Sequence, residues 1–466
     1  MAHQFDIIVV GGGPGGYVAA IRGAQLGLSV ALVEDKHLGG VCLNWGCIPT
    51  KSLLRCADVY HTLQHAEDFG IKAKGLSIDL PAMVKRSRDT AAKLAEGVAY
   101  LMKKNKITVF DGRGRLSDQP HTLIVTDKDG DTQTLTSPHI ILATGARARV
   151  LPGMEPDGDR IWTAQDAMTP KKLPKSLVVV GSGAIGMEFA SFYSTLGTQV
   201  TVLERLDRIL PAEDEEISAL AQKIFKNQGI AFETGVTVTG IEKSKNKATV
   251  SFTKGAETHT IDGEHVIMAV GVVGNTQDLG LDHTNVKVAP AAHIVTNDHN
   301  ETDQPGVYAI GDVAGGPWLA HKASHEGVLC VERIAGHTVH LLQKNRIPGC
   351  TYCRPQVASL GLTEQAALDA GLPIKVGRFD PSGNGKSLAL GETDGLIKTI
   401  FHQDTGELLG AHMIGAEVTE LIQTYGVAQT LETTEKDLMH TIFAHPTLSE
   451  MLHESVLDAF GQSLHK

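Results

Sequence analysis

The sequence predicts an α/β protein built on two Rossmann-like dinucleotide-binding domains, and three observations predict it. A G-x-G-x-x-G fingerprint occurs twice, the second copy 170 positions after the first. Each copy follows a short apolar run, opens a helical stretch and is closed by an acid at the end of the next apolar run. After Pro348 the texture changes and no third fingerprint follows.

The bulk numbers fit that class. A chain of 466 residues corresponds to about three domains. Fifty glycines, 5% aromatic and 42% hydrophobic residues describe an α/β chain with many tight turns and a large core. The net charge of −11 contains no long single-sign block, so nucleic-acid binding has no electrostatic support. No apolar run reaches about 18 residues, which argues against a membrane span. The start, MAHQFDIIVVGGG, enters a strand almost at once, and no targeting segment is expected. Six cysteines are too few for a secreted disulfide framework, so a reducing cytoplasm fits best, and there a disulfide is usually catalytic.

The first nucleotide unit begins with the apolar run Phe5–Val10, expected as a buried parallel strand. Gly11, Gly13 and Gly16 form the fingerprint, Tyr17–Gly27 reads as a helix, and Leu28–Val33 as the second strand. Glu34 closes the unit 18 residues past Gly16. The first two glycines let backbone N–H groups approach a pyrophosphate at a helix N-terminus, and the third lets helix and strand pack closely. The Glu34 carboxylate is suited to both hydroxyls of a ribose. A glycine-rich turn without ligand is the plainer reading; strand, glycines, helix, strand and acid in register argue against it.

Next comes Gly39–Leu54, GGVCLNWGCIPTKSLL, with Cys42 and Cys47 five positions apart. On a straight helix such residues are separated by about 7.5 Å in rise alone, whereas a disulfide needs Cα atoms roughly 4.4–6.8 Å apart. Either the cysteines never bridge, or the helix is distorted where they sit. Pro49 offers a cause, because it gives no N–H to the carbonyl of Trp45 and crowds it. Gly46 loosens the same turn. We read an easily reduced disulfide at the start of a broken helix, against the plainer reading of two buried apolar cysteines. A redox-capable pair delivered by a nucleotide-binding unit points to electron transfer between a bound cofactor and sulfur.

A helix is expected from about residue 74 to 108, then short strands to about Thr136. Ile140–Ala143 leads into Thr144-Gly145-Ala146, a small-residue turn where a chain would close over a flavin nucleotide. Leu177–Val180, the glycines Gly181, Gly183 and Gly186, a helix over Met187–Leu196, a strand over Val200–Leu203 and Glu204 then repeat the first unit. Two fingerprints in one phase mark an internal duplication, so two dinucleotides are expected, one resident and one exchanging. An acid at Glu204 bonds a ribose 2′-hydroxyl and repels a 2′-phosphate, which favours NAD despite Arg205 and Arg208 close by. Glu188, just inside the second helix, is either a dipole partner or a partner for Lys51.

An amphipathic helix is expected over Asp214–Asn227, then strands to Val270 and Gly271. Tyr308–Asp312 reads as a strand ending in an acid, suited to the ribityl or pyrophosphate end of a cofactor; a surface turn is the alternative. Cys350 and Cys353 have the C-x2-C spacing of zinc and thioredoxin-like sites but no second pair or βαβ context, so they read as incidental. Near the C-terminus, Thr447 and Glu450 match a capping box opening a helix. His445 precedes it and is suited to act as the base that makes thiolate from a dithiol substrate, with Glu450 orienting the ring.

These residues assembled, the chain resembles the pyridine nucleotide-disulfide oxidoreductases nearly end to end, most specifically in Cys42–Lys51 and His445–Glu450. Leu43-Asn44-Trp45-Gly46 between the cysteines is in the style of the family's lipoamide enzymes. The resemblance implies FAD (1–150), NAD (151–275), central (276–347) and interface (348–466) domains, the last an α+β dimerisation domain. It implies a homodimer with one tightly bound FAD per subunit. Cys42 would exchange with substrate, Cys47 lie against the flavin and Lys51 near its N5, while His445 and Glu450 reach the disulfide of the second subunit. For FAD it points to Glu34, Lys51, Gly114, Asp312 and Ala320, beside Gly11, Gly13, Gly16, Thr144 and Gly145. For NAD it points to Gly181–Glu188, Glu204, Val238 and Gly271. The implied activity is NAD-linked oxidation of protein-bound dihydrolipoamide within a 2-oxo acid dehydrogenase complex, with the lipoyl and subunit-binding domains of an acyltransferase as partners. One departure is Val272-Val273-Gly274-Asn275, where many relatives carry Gly-Arg-x-Pro-Asn from Gly271 on; the arginine contact is missing. Two other readings remain: a family member reducing another disulfide or a metal ion with NADPH, and a non-catalytic flavoprotein subunit.

Overall fold

The computed structural model describes residues 3–466; Met1 and Ala2, where the expected early entry into a strand begins, lie outside the described residues. The chain packs as two units, one formed by residues up to 52, 81–149 and 271–342, the other by 53–80, 150–270 and 343–466.

In the first unit Ile7–Val10 is apolar at every position and wholly buried, as a strand covered on both faces must be. It lies at the centre of a parallel sheet ordered Val307–Ala309, His139–Leu142, Ile7–Val10, Val30–Glu34, Thr108–Asp111. The period-2 alternation of a strand divides its side chains between two cores. Ile8 and Val10 join Ala31, Val33, Leu123 and Leu135 on the side of a second, mixed sheet. Ile7 and Val9 join Ala19, Ala20, Leu32 and Val331 on the side of the helices Pro14–Gln25 and Ala320–Ile334. The first helix begins at Pro14, earlier than the expected Tyr17, because proline at a helix start gives up an N–H that has no partner there. The long helix is Leu80–Lys104, shorter than the expected 74–108. Gly75 at φ 68° and Lys106 at φ 57° hold left-handed backbone on either side of it.

The second unit repeats the plan in Ile161–Trp162, His265–Met268, Ser176–Val180, Gln199–Glu204 and Ala231–Thr234, again all parallel. The registers agree as the fingerprints do: Ile7 faces Val30 in one sheet, and Leu177 faces Val200 in the other. The same unit carries a five-stranded antiparallel sheet over residues 349–415. Helices Val418–Thr430 and Glu450–Ala459 pack on it through Phe379, Phe401, Met413, Tyr425, Leu452 and Val456. No helix among the described residues is long and apolar enough to cross a membrane.

Candidate active site

The two fingerprints are superposable in their chemistry as well as their spacing. A Cβ on Gly16 would sit 1.8 Å from the Gly11 carbonyl oxygen, and one on Gly186 would sit 2.0 Å from that of Gly181. The third glycine of each set is therefore needed for the close approach of helix and turn. Gly11 and Gly181 have φ of 109° and 101°, a region that only glycine enters at little cost. The middle glycines differ: a Cβ on Gly13 would meet only Gly40 Cα at 3.9 Å, and one on Gly183 nothing within 4 Å. That open space above a helix N-terminus is the cradle a pyrophosphate requires.

The closing acids are matched too. Glu34 accepts hydrogen bonds from the N–H groups of Gly12 at 2.6 Å, Lys36 at 2.8 Å and His37 at 3.2 Å. Glu204 accepts from the N–H and hydroxyl of Ser182 at 2.8 and 2.7 Å, and from Leu206 N–H at 2.9 Å. Burial pushes the Glu34 carboxyl above the usual carboxylate range, with the Gly12 N–H opposing it. Arg208 is drawn to Glu215 at 3.1 Å, and Arg205 is exposed.

Cys42 and Cys47 form a disulfide with Cα atoms 4.8 Å apart. The helix is interrupted to permit it: Gly40–Trp45 ends, Gly46 takes φ −148° and ψ −113°, and a second helix runs from Cys47 to Gln64. The break falls at Gly46, in the turn that Gly46 was expected to loosen and where Pro49 gives no N–H to the Trp45 carbonyl. Pro49 is the third residue of the new helix, where the missing N–H costs nothing. Lys51 follows in the first turns of that helix.

Several residues that the sequence reading missed fix this segment. Asn44, 6% exposed, donates to the carbonyls of Leu38 at 3.0 Å and Gly40 at 2.9 Å. From the long helix, Arg88 lays its guanidinium 3.8 Å above the Trp45 ring and donates to the Asn44 carbonyl. Ser87 donates to the Pro49 carbonyl at 2.9 Å, and Arg86 to the Ser52 hydroxyl at 2.8 Å. Nothing in the spacing of 86–88 marks them; on a helix of mixed charge they read as a solvated face.

The expected strand over Tyr308–Asp312 stops at Ala309, and Asp312 stands in a short 3-10 turn, Gly311–Ala314. Gly311 at φ 71° turns the chain out of the sheet. Beneath the turn lies a buried ion pair, also missed: Lys322 and Glu326, 2% and 5% exposed, with Nζ 3.1 Å from Oε1. Lys322 donates to the carbonyls of Gly311 at 3.3 Å and Gly315 at 2.7 Å, while Glu326 accepts from Gly311 N–H at 2.7 Å. Burial raises the Asp312 carboxyl above its usual range, opposed by the Lys322 charge. Ala320 is the first residue of the helix that carries this pair.

Gly114 is buried in the strand Arg113–Leu116, where a Cβ would come within 3.0 Å of Val10 Cγ1. Thr144 and Asn275 clasp each other: the Thr144 hydroxyl donates to the Asn275 carbonyl at 2.8 Å and the Asn275 amide to the Thr144 carbonyl at 2.9 Å. Gly145 accepts from Asn275 N–H at 3.0 Å, and Gly271 from Arg149 N–H at 2.9 Å. Each glycine immediately precedes one strand of a ribbon of Ala146–Ala148 and Val272–Gly274 in the first unit. Val238 is half-buried against the core of the second unit that includes Val236 and Phe252. Glu188 is buried and accepts from Tyr352 N–H at 3.0 Å.

At the C-terminus His445 Nδ1 lies 2.9 Å from Glu450 Oε1, with the ring largely exposed. Only half of the expected capping box forms. Glu450 accepts from Thr447 N–H at 2.8 Å, but the Thr447 hydroxyl donates to the Ala444 carbonyl at 2.7 Å. The helix consequently starts at Glu450. The Cys350 thiol donates to the Thr419 carbonyl at 3.9 Å and the Cys353 thiol to the Pro355 carbonyl at 3.2 Å, and no cluster among the described residues could hold a metal ion.

Two family models match the chain: Pyridine nucleotide-disulphide oxidoreductase over residues 5–327, and the dimerisation domain of the same family over 347–456. The chain belongs to the pyridine nucleotide-disulphide oxidoreductase family. It is 52% identical to the dihydrolipoyl dehydrogenase of Rhizobium etli and 42% identical to that of Bacillus subtilis, with 100% of both chains covered in each case. Among solved structures it resembles LpdA from Mycobacterium tuberculosis with a TM-score of 0.91 and 26% identity, covering 98% of this chain and 99% of that one. As a pyridine nucleotide-disulphide oxidoreductase with its dimerisation domain, the chain is an α/β oxidoreductase that works as a homodimer.

Proposed function

We infer that this protein is a dihydrolipoyl dehydrogenase: it oxidises protein-bound dihydrolipoamide to lipoamide and reduces NAD+ to NADH, using FAD. The observation that carries the inference is the Cys42–Cys47 disulfide, held across a helix break directly after a dinucleotide fold. The two dinucleotide sites fit the cofactors, with Gly11, Gly13, Gly16, Glu34, Lys51, Gly114, Thr144, Gly145, Asp312 and Ala320 assigned to FAD. Gly181, Gly183, Gly186, Glu188, Glu204, Val238 and Gly271 are assigned to NAD. The domains are taken as 1–150 for FAD, 151–275 for NAD, 276–347 central and 348–466 at the dimer interface.

His445, held by Glu450, takes a proton from one substrate thiol. The thiolate attacks Cys42 Sγ, forming a mixed disulfide as the Cys42–Cys47 bond breaks and Cys47 leaves as thiolate. The second substrate thiol, its proton passing to the leaving Cys42 sulfur, attacks the first substrate sulfur in that mixed disulfide; the bond to Cys42 breaks, lipoamide departs and Cys42 is left as a thiol. Bound FAD and NAD supply the acceptors for the electron pair now held by the dithiol. Because the His445–Glu450 pair stands on the dimerisation domain, we assign it to the disulfide of the second subunit. The lipoyl and subunit-binding domains of an acyltransferase are the natural partners, and a reducing cytoplasm suits the redox couple.

Anaerobic addition of dihydrolipoamide to the holoenzyme tests this. Long-wavelength absorbance and alkylation of Cys42 and Cys47 are expected, with NADH formed when NAD+ is added. Cysteines that stay closed to alkylation, with no NADH, would overturn it.

A further inference from the structure

Ser87 and Arg88 are adjacent on one helix, yet they hold opposite sides of the break between the two cysteines. Arg88 grips the last turn of Gly40–Trp45 by stacking on Trp45 and donating to the Asn44 carbonyl, one of the carbonyls that a helix end leaves without a partner. Ser87, fully buried, grips the first turn of Cys47–Gln64 through the Pro49 carbonyl at 2.9 Å. Between these anchors lie Trp45 to Pro49, and Gly46 is the residue whose backbone departs from the helix. Asn44 is fixed in addition by its bonds to Leu38 and Gly40. Neither Ser87 nor Arg88 is among the residues assigned to substrate or cofactor.

We propose that Ser87 and Arg88 are positioning residues that set the reduction potential of the Cys42–Cys47 couple, by holding the helix break open in the dithiol as it stands in the disulfide. This rests on the redox assignment of the two cysteines above. The physical argument is about which state needs the clamp. In the disulfide, the covalent bond itself keeps the Cα atoms 4.8 Å apart. In the dithiol non-covalent contacts alone do so, and those of Ser87 and Arg88 are the ones that grip both sides of the break; without them the segment gains freedom and the two sulfurs meet less often. A disulfide that closes from a pre-arranged dithiol is more stable than one that closes from a mobile segment, on the same entropy that governs loop closure. The clamp thus favours the oxidised pair and lowers the potential.

The test is an equilibrium measurement on FAD-loaded enzyme without NAD. Dihydrolipoamide loses two electrons and two protons to become lipoamide, and the Cys42–Cys47 disulfide gains them to become a dithiol. Poising the enzyme in lipoamide–dihydrolipoamide mixtures, quenching with acid, alkylating and weighing by mass spectrometry gives the constant for this exchange. Ser87→Ala and Arg88→Lys both keep the net charge, so they alter the clamp without removing a cation that would favour thiolate. We expect each to shift the constant toward the dithiol, and the double variant by about tenfold, equivalent to about 30 mV. A constant within twofold of the parent in both variants, even with a lowered Tm, would overturn the proposal, as would a shift toward the disulfide. Ser87→Ala removes a single oxygen, so it decides the matter should Arg88→Lys fail to fold. Parent cysteines that never exchange with dihydrolipoamide would instead overturn the functional assignment itself.

Discussion

His445 and Glu450 are joined at 2.9 Å, while the second carboxylate oxygen of Glu450 is held by Thr447 N–H at 2.8 Å. One carboxylate thus orients an exposed imidazole and ties the loop before a helix to the helix's first residue. Replacing His445 by Gln should lower turnover of dihydrolipoamide by about 10²–10⁴-fold, the usual contribution of a positioned base. Flavin content should not change. Steady-state NADH formation beside the flavin absorbance of the purified variant checks both.

Glu450 also makes a pH prediction. Burial opposes its ionisation, but the Thr447 N–H and His445 outweigh it, and its carboxyl lies below the usual range. A depressed carboxylate contributes stability in full above its unfolded pKa of about 4.3 and loses it as the pH falls through the lower folded value. The stability gap between parent and Glu450→Gln should therefore be present at pH 7 and close on acidification below about 4. Urea unfolding at a series of pH values reads this directly.

Replacing Cys42 by Ser should abolish lipoamide turnover and leave FAD bound, since the assigned exchange begins at that sulfur and the dinucleotide fold does not depend on it. Normal turnover by this variant would remove the scheme.

Lys322→Met leaves the Glu326 carboxylate buried beneath the Gly311–Ala314 turn without its counter-ion. Breaking a buried pair in this way costs about 3–5 kcal/mol. A lowered Tm and loss of FAD on dialysis are expected together, because Gly311 and Gly315 are the Lys322 contacts and Asp312 lies between them.

NADH should be preferred to NADPH, and Glu204→Ala should narrow the preference, seen as the ratio of kcat/KM for the two nucleotides. The Ser182 hydroxyl already occupies one Glu204 oxygen at 2.7 Å. Ser182→Gly should thus strengthen NAD binding, read by fluorescence quenching.

Much of this molecule was legible from residue spacing. The duplicated fingerprint fixes two sheets, two helices and two acids because a dinucleotide fold places every one of those parts by local rules. The break between Cys42 and Cys47 was also legible, as a geometric necessity for a disulfide, with Gly46 and Pro49 marking the turn where it falls; that a new helix starts at once from Cys47 was not. Proline is a strong breaker inside a helix and harmless in its first turn, and which of these Pro49 occupies depends on where the new helix begins. The Lys322–Glu326 pair was hidden for a different reason. A lysine and a glutamate four apart are an ordinary pair on an exposed helix face, and packing against the Gly311 turn is what buries this one. Arg88 was hidden likewise: its target, the Asn44 carbonyl, lies 44 residues away.

The duplication has a practical corollary. Gly16 and Gly186 are held against the oxygens of Gly11 and Gly181 by the same contact, 170 positions apart. Alanine at one position should silence the resident nucleotide and alanine at the other the exchanging one. The molecule therefore carries its own matched control, a pair of twin lesions whose differing consequences separate the work of its two halves.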